Sequence, residues 1–272
     1  MDHEVFRAIK RLLRRLGAYR RRGRQVYSDG AALAVYFYAV LNDRPTYWAC
    51  DRRNWPPGLW RGGLPSQSAL SRRLREPAVI ALLGRVELAL RPPVPALVMV
   101  AAIDGKALEI ALHSEDPHAG KGRGVGHVAC GYKVHTVIGV CGTLLHWRLA
   151  SLNVSEREMA RRMLRQLPPT CYVVGDSHYD TNTIHAAARA GGMQLVTPRK
   201  RTAQGRGIGK RRNDPGRLRS IQMLEHHRSD FARDLVGSRK AIERFFAQWT
   251  NFGGGLTCLP AWVRTYPRTR AW

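Results

Sequence analysis

The hydrophobic pattern of the chain changes near residue 96, and this change restricts the possible folds more than any other feature. Before it, apolar residues recur at helical spacing, as in VFRAIKRLLRRLGAY (5–19), which predicts an amphipathic first helix. After it, short apolar runs typical of strands come first, and strands and helices then alternate. We therefore expect a mainly helical region at residues 1–95 and an α/β domain at residues 96–272.

Two further helices are predicted in the first region. YSDGAALAVYFYAVL (27–41) is apolar on all sides, which is typical of a buried helix. Ser66 is a good N-cap for a short helix within residues 65–75 that carries Arg72 and Arg73. These arginines suit contacts with phosphates and guanines, as in the second helix of a helix-turn-helix. An ordinary basic helix is the alternative. RPPVP (91–95) predicts the linker.

The second region contains five runs that predict strands. They are ALVMVAAID (96–104), GYKVHTVIGV (131–140), GTLLHWRLA (142–150), CYVVGD (171–176) and MQLVTP (193–198). Hairpins can join the first three, so these can pair antiparallel, and helices precede the fourth and fifth strands. The order predicts a five-stranded mixed sheet with flanking helices. GKGRGVG (120–126) lacks the order of a phosphate loop, so we expect a flexible basic loop there.

The charge of the chain indicates a polyanionic partner. It has 45 Lys and Arg against 20 Asp and Glu, a net charge of +25. Nucleic acid is the first choice and an anionic membrane is the second. The membrane is disfavoured because the longest apolar runs (31–41 and 94–103) are shorter than the ~20 residues of a membrane-spanning helix. The N-terminus lacks the apolar core of a signal peptide. The five cysteines are scattered without a CxxC pair, which favours a reducing cytosol over disulfides or structural zinc.

Two aspartates end strands in this prediction. Asp104 follows the first strand and Asp176 follows the fourth. Ligands of open α/β sheets bind where strands end, so neighbouring strands would bring the two carboxylates together. Their mutual repulsion is relieved by a divalent cation, and Mg²⁺ prefers oxygen ligands. An aspartate after a strand is also a common helix cap or turn residue, and this alternative stays open for both.

A third carboxylate is available on a later helix. SRKAIERFFAQW (238–249) predicts a helix on which Glu243 follows Arg239 by one turn. Three carboxylates can hold two metal ions about 3.5–4 Å apart for in-line phosphoryl transfer. A surface ion pair is the alternative for Glu243.

These residues together resemble the DDE transposases of bacterial insertion sequences, in the subgroup with a Tyr-Arg-Glu-Lys signature. The resemblance covers about residues 98–250. It rests on IDGKAL, GYKVHTVI followed by ASLNVSE, VVGDSHYDT, VTPRK and RKAIERFF, in this order. VVGDSHYDT is similar to the second-Asp motif, usually Asp-x-x-Tyr-Asp, and RKAIERFF matches the Arg-x-x-x-Glu part of the signature.

The resemblance implies an RNase H-like catalytic domain that uses two Mg²⁺ ions, for which Mn²⁺ can substitute. Asp104, Asp176 and Glu243 would be the metal ligands, and Arg239 would orient Glu243 or contact DNA. The enzyme would nick double-stranded DNA at terminal inverted repeats and join the freed 3′-hydroxyls to target DNA. It would work as a homodimer on DNA in the cytoplasm, at the nucleoid, with residues 1–95 binding the transposon ends.

Other basic residues are candidates for DNA contacts. Lys106 lies two residues past Asp104, close enough to meet a phosphate of the scissile strand. Arg199, Lys200 and Arg201 begin a basic segment after the fifth strand. A solvated surface is the alternative for each.

The chain departs from the family signature at two positions. Val236 stands at the position of the signature's Tyr, and Thr250 at that of its Lys. The chain also ends soon after Glu243, so a truncated copy is one expectation. Two alternatives to an active transposase stay open: a catalytically inactive DNA-binding remnant, and a metal-dependent nuclease without joining activity.

Overall fold

The computed structural model describes residues 3–20, 23, 26–91, 93, 96–110, 114–124, 126–200, 213–227, 230–251, 259 and 263–272. These residues form two compact units. The helical unit comprises the described residues of 1–91 and 251–272, and the sheet unit comprises those of 92–250. Residues 92, 94 and 95 of the predicted linker lie outside the described part of the chain.

The elements follow in chain order. The helices are α1 His3–Arg15, α2 Asp29–Leu41, α3 Thr46–Ala49, α4 Gln67–Arg73, α5 Pro77–Leu90, α6 Glu156–Leu164, α7 Asn182–Ala190, α8 Pro215–Ile221, α9 Asp230–Gly237, α10 Lys240–Asn251 and α11 Tyr266–Ala271. The strands are β1 Val98–Ile110, β2 Gly120–Arg123, β3 Val128–Gly139, β4 Leu144–Ser151, β5 Thr170–Val174 and β6 Gln194–Val196. Within the part of the chain that the structure describes, no helix has the length and apolar character needed to cross a membrane.

An aromatic cluster forms the centre of the helical unit. The rings of Tyr38 and Trp55 stack with centroids 3.7 Å apart, and Phe6 meets Tyr38 edge-on at 5.3 Å. The polar ends of these rings are satisfied, because Tyr38 Oη donates to the Asn54 carbonyl over 2.7 Å and Trp55 Nε1 donates to the Ala49 carbonyl over 2.8 Å. The predicted amphipathic α1 and buried α2 are confirmed, since both helices bury apolar residues in this core.

The predicted cap of α4 is also confirmed. Ser66 Oγ accepts a hydrogen bond from the Ala69 backbone N–H over 3.3 Å, and Leu70 is fully buried behind it. The cap fixes where the helix begins, and Leu70 fixes which face turns toward the core.

The sheet of the second unit is mixed. β1 pairs antiparallel with β3, which pairs antiparallel with β2 and β4 along its other edge. β5 pairs parallel with β1, and β6 with β5. The five predicted strands are confirmed as β1, β3, β4, β5 and β6, and their spatial order β4-β3-β1-β5-β6 with flanking helices is that of an RNase H-like α/β fold.

Two local predictions are wrong. Residues 120–123 form β2 where we expected a flexible loop, because their glycines lie against the chain that follows β4: a Cβ at Gly120 would be 2.2 Å from Asn153 Oδ1, and one at Gly122 would be 2.7 Å from the Leu152 carbonyl oxygen. β1 does not end at Asp104 but continues to Ile110, because β3 pairs with it along that whole length.

The two faces of the sheet are covered by different helices. Residues of α6 and α7 pack with Ile103, Val137 and Val173 into one buried cluster. On the other face, Phe231 of α9 meets the Tyr172 ring edge-on at 5.5 Å, and Lys106 Nζ lies 5.9 Å from the ring centroid of a phenylalanine on α10. Successive side chains of a strand point to opposite faces of the sheet. Because Ile103 packs with α6 and α7, Asp104 and Lys106 belong to the face that α10 covers.

Candidate active site

Asp104 on β1 and Asp176 just after β5 lie at matching positions relative to these neighbouring strands. The parallel pairing of β1 with β5 ends where Ala102 meets Val174, and each aspartate lies two residues further along its chain. β5 ends at that point, whereas β1 continues beside β3. The two carboxylates therefore flank the place where the strands separate. The predicted meeting of these aspartates follows from this register.

The surroundings of Asp104 raise the pKa of its carboxyl group. Its Oδ1 accepts a hydrogen bond from the Gly105 N–H over 2.7 Å, which favours the ionised form. Burial acts in the opposite direction and more strongly, and the carboxylates of Asp176 and Glu156 add to it, so the pKa rises to about 6 even though Arg239 opposes the rise. Asp104 is thus a carboxylate held among like charges.

Asp176 also shapes the local backbone. Its Oδ1 accepts a hydrogen bond from the His178 N–H over 2.8 Å, and its Oδ2 lies 3.2 Å from His178 Nδ1. These contacts cap a short 3₁₀ helix at Ser177–Tyr179. The turn-forming alternative for this aspartate is therefore realised, and its side chain remains partly exposed beside Asp104.

Tyr179 belongs to both the core and the site. Its ring is 1% exposed and packs within the cluster beneath α6 and α7. Burial raises the pKa of its hydroxyl well above the usual value, and Asp104, Glu156 and Asp176 raise it further. The ring therefore belongs to the core, and its hydroxyl lies within the electrostatic reach of the three acids.

Asp180 completes the Asp-x-x-Tyr-Asp motif in a structural role. Arg217 donates to its two oxygens over 2.7 and 2.9 Å, and the Lys200 N–H donates to Oδ2 over 2.9 Å. Burial raises the pKa of Asp180, but the hydrogen bonds from Arg217, His185 and Lys200 outweigh it and hold that pKa well below the usual range. Asp180 thereby ties the chain after β6 to the loop that carries Asp176.

Glu243 is held by Arg239 at the beginning of α10. Arg239 Nη2 donates to Glu243 Oε1 over 2.9 Å, as the one-turn spacing predicts, and the glutamate side chain is 55% exposed. Arg239 is in turn close enough to Asp104 to lower its pKa. Over the described residues, no three His, Cys, Asp or Glu side chains are grouped to hold a metal ion. Glu243 as third ligand stays a prediction.

A lysine and a glutamate that the sequence did not single out border the site. Lys133 Nζ forms an ion pair with Glu156 Oε1, and both side chains are largely buried. The Lys133 side chain crosses Gly105, where an added Cβ would lie 3.2 Å from Lys133 Cδ. Next to Glu156, Arg157 Nε donates to the His178 carbonyl over 3.0 Å. The first turn of α6 thus contacts both the β3 side and the Asp176 loop. Lys133 belongs to the motif GYKVHTVI and Glu156 to ASLNVSE, but only the fold brings the two side chains together.

The predicted DNA-contacting residues fall into two groups. Arg72 and Lys200 are exposed, and Lys106 is half-buried beside α10. Arg73 and Arg199 are engaged by carboxylates instead. Arg73 pairs with Asp29 and Glu76, and Arg199 with Glu225. Arg201 lies outside the described residues. DNA contact by each of these side chains stays a prediction.

The donor set fits a hard divalent cation. Asp104 and Asp176 offer carboxylate oxygens. Burial is the main cause of the raised pKa of Asp104, and the repulsion from Asp176 that adds to it is what a bound cation would offset. The two aspartates are the residues that would hold it.

Comparison with known proteins adds a family match. Residues 99–265, more than half of the chain, match the family described as "Transposase DDE domain". No curated protein matches the chain. The matched range contains Asp104, Asp176 and Glu243.

Proposed function

The chain belongs to the transposase DDE domain family, and we propose that it nicks DNA at the ends of a bacterial insertion sequence and joins the freed 3′-hydroxyls to target DNA. Transposases of this family act on DNA, and the net charge of +25 suits such a substrate. The observation that carries the proposal is the β1–β5 register, which sets Asp104 beside Asp176 where the two strands part.

Divalent metal ions are general in this family, and here we propose two Mg²⁺ ions, for which Mn²⁺ can substitute. Asp104, Asp176 and Glu243 would hold them, with Arg239 bonded to one oxygen of Glu243 and its Oε2 left for a metal. Such ions activate the attacking water or 3′-hydroxyl and stabilise the leaving oxygen. Gly105 orients Asp104 through its N–H, and the turn at His178 orients Asp176.

The basic residues would divide the DNA contacts between them. Lys106, on the same face of β1 as Asp104, would meet a phosphate of the scissile strand. Residues 1–95 would bind the transposon ends, with Arg72 exposed on α4. We assign the chain to the Tyr-Arg-Glu-Lys subgroup on its Arg239 and Glu243, and we expect a homodimer on DNA in the cytoplasm, at the nucleoid.

Replacement of Asp176 tests the proposal. Asp176→Asn removes a negative charge from the site, so Mg²⁺-dependent nicking of DNA that carries the element's terminal repeats should be lost. Asp230→Asn is the matched control, since its side chain is 86% exposed on α9 in the same unit, and it should nick like the wild type. Equal nicking by wild type and Asp176→Asn would rule out the assignment. A joining assay with pre-cut 3′-hydroxyl ends separates a transposase from a nuclease that only cuts.

A catalytically inactive DNA-binding remnant is the second candidate. It is favoured by Val236 on α9 and Thr250 on α10, which replace the Tyr and Lys of the signature. Wild-type protein that binds end DNA but does not nick it with Mg²⁺ or Mn²⁺ would support this candidate.

A further inference from the structure

Tyr179 brings to the site a buried hydroxyl that the proposed chemistry does not use. We propose that Tyr179 is a positioning residue for Asp104, and that its hydroxyl donates a hydrogen bond toward this carboxylate when a divalent cation is bound. The inference rests on the proposed function, because it concerns the same metal site. It is carried by the fixed ring, by the hydroxyl's surroundings and by a comparison with other buried tyrosines.

The ring of Tyr179 is fixed by packing. A Cβ at Gly175 would lie 2.9 Å from Tyr179 Cδ2 and 3.2 Å from Ile103 Cγ2, so the ring occupies space that only a glycine leaves. The Tyr179 N–H donates to the Asp176 carbonyl over 3.2 Å, which ties the ring to the loop of the second aspartate. The direction of the hydroxyl is therefore set by the fold and not by solvent.

The hydroxyl is buried and has no hydrogen-bond partner among the residues that the structure describes. Asp104 has the strongest electrostatic effect on it of the three neighbouring acids, followed by Glu156 and Asp176. Because burial and these charges raise its pKa well above 10.0, the group stays protonated at neutral pH. Because ionised carboxylates only accept hydrogen bonds, the protonated hydroxyl can bond to them only as the donor.

The buried hydroxyls of Tyr38 and Tyr132 have partners within the fold, whereas those of Tyr19 and Tyr179 have no hydrogen-bond partner among the described residues. Tyr38 Oη donates to the Asn54 carbonyl over 2.7 Å, and Tyr132 Oη donates to Asp116 Oδ2 over 2.6 Å. Burying a hydroxyl without a partner is unfavourable, and phenylalanine would fill the same space without that cost. The hydroxyl of Tyr179 would be accounted for if its bond to Asp104 forms when the carboxylates of the site hold a divalent cation.

Tyr179→Phe tests the inference without disturbing the packing of the ring. The thermal unfolding midpoint is followed as Mg²⁺ is added in the absence of DNA, because a ligand of the folded state raises that midpoint. We expect an unchanged or higher midpoint without metal and an approximately tenfold higher Mg²⁺ requirement, the usual effect of losing a group that orients a metal ligand. The Mg²⁺ concentration for half-maximal nicking should rise by the same factor.

Tyr132→Phe is the matched control on β3. It removes a hydroxyl that is already bonded, so it should lower the midpoint without metal and leave the Mg²⁺ requirement unchanged. The inference is overturned if Tyr179→Phe needs no more Mg²⁺ than the wild type, or if Mg²⁺ does not shift the wild-type midpoint. If Tyr179→Phe weakens the Mg²⁺ response but the wild type never nicks DNA, the inference stands and the proposed function fails.

Discussion

Asp29 in the helical unit and Asp104 in the sheet unit have opposite surroundings. Asp29 in the helical unit is 4% exposed and pairs with Arg73, whose side chain is only 13% exposed. Asp104 in the sheet unit is partly buried among carboxylates, and within the described chain no cationic side chain forms an ion pair with it. The helical unit therefore neutralises its buried acid internally, whereas the sheet unit leaves Asp104 without an ion-pair partner among the described residues.

The difference is local to the site and does not extend through the sheet unit. Asp180, four residues past Asp176, is nearly buried, and Arg217 binds both of its oxygens. Asp180, which stabilises the fold, thus lies only a few residues from Asp176, whose repulsion with Asp104 opposes folding. Uncompensated charge of this kind is a mark of functional sites.

Asparagine substitutions at Asp29 and Asp104 would break this comparison with the largest expected effects. Asp104→Asn should reduce Mg²⁺-dependent nicking at least about a thousandfold, or about 4 kcal/mol, because a proposed metal ligand is lost. Its unfolding free energy should be unchanged or higher, since repulsion is removed. Asp29→Asn should lower the unfolding free energy by about 3 kcal/mol, because Arg73 loses its buried counter-charge.

Nicking rates and urea unfolding curves measure the two effects separately. The Asp29→Asn variant should still nick DNA at temperatures where it is folded. This result is the control for the activity loss of Asp104→Asn. An equal loss of unfolding free energy in both variants would contradict the distinction between the two aspartates.

The sequence was sufficient where the determining contacts are local or periodic. The Ser66 cap needs only residues within one turn, and the apolar runs indicated the two strands near Asp104 and Asp176, which the structure pairs as β1 and β5. It failed where the determining partner is distant. The sequence around Gly120 and Gly122 is typical of a loop, and its contact with residues 151–153 is visible only in the structure. Likewise, no residue near Asp104 indicates that pairing with β3 extends β1 to Ile110.

The polar network of the site is also non-local. Lys133 and Glu156 are 23 residues apart, and Asp180 and Arg217 are 37 apart. The charges along the chain did not indicate that Arg73 pairs with the distant Asp29, or Arg199 with the distant Glu225. Such pairings follow from packing of elements, so a pattern read along the chain does not contain them.

The pH dependence of stability should sharpen the comparison with a smaller effect. The folded pKa of Asp104 is about 6 against an ordinary value of 3.8, so the folded chain binds more protons between these values. The unfolding free energy should therefore fall as pH rises through this window, by on the order of 2 kcal/mol in metal-free buffer. Urea unfolding at each pH measures it, and Asp104→Asn should remove the fall.

Asp180 should show the opposite dependence. Its folded pKa is lowered, so its contribution is present above its ordinary pKa of 3.8 and is lost as pH falls below that value. Asp180→Asn should flatten the acid side of the curve and leave the region near pH 6 unchanged. A fall between pH 4 and 6 that persists in Asp104→Asn would show that another group causes it.

The smallest effects should separate DNA binding from catalysis. Arg72→Ala in the helical unit should weaken binding to end DNA and reduce the salt-dependence slope of the binding constant by roughly 0.9, the value for one phosphate contact. Its nicking rate at saturating DNA should be unchanged. Lys106→Ala, close to Asp104 on β1, should instead lower that rate. Arg53→Ala is the control, because this arginine is exposed in the helical unit and already paired with Asp51. If Arg72→Ala lowered the saturated rate while Lys106→Ala altered only affinity, the two units could not have the separate roles proposed for them.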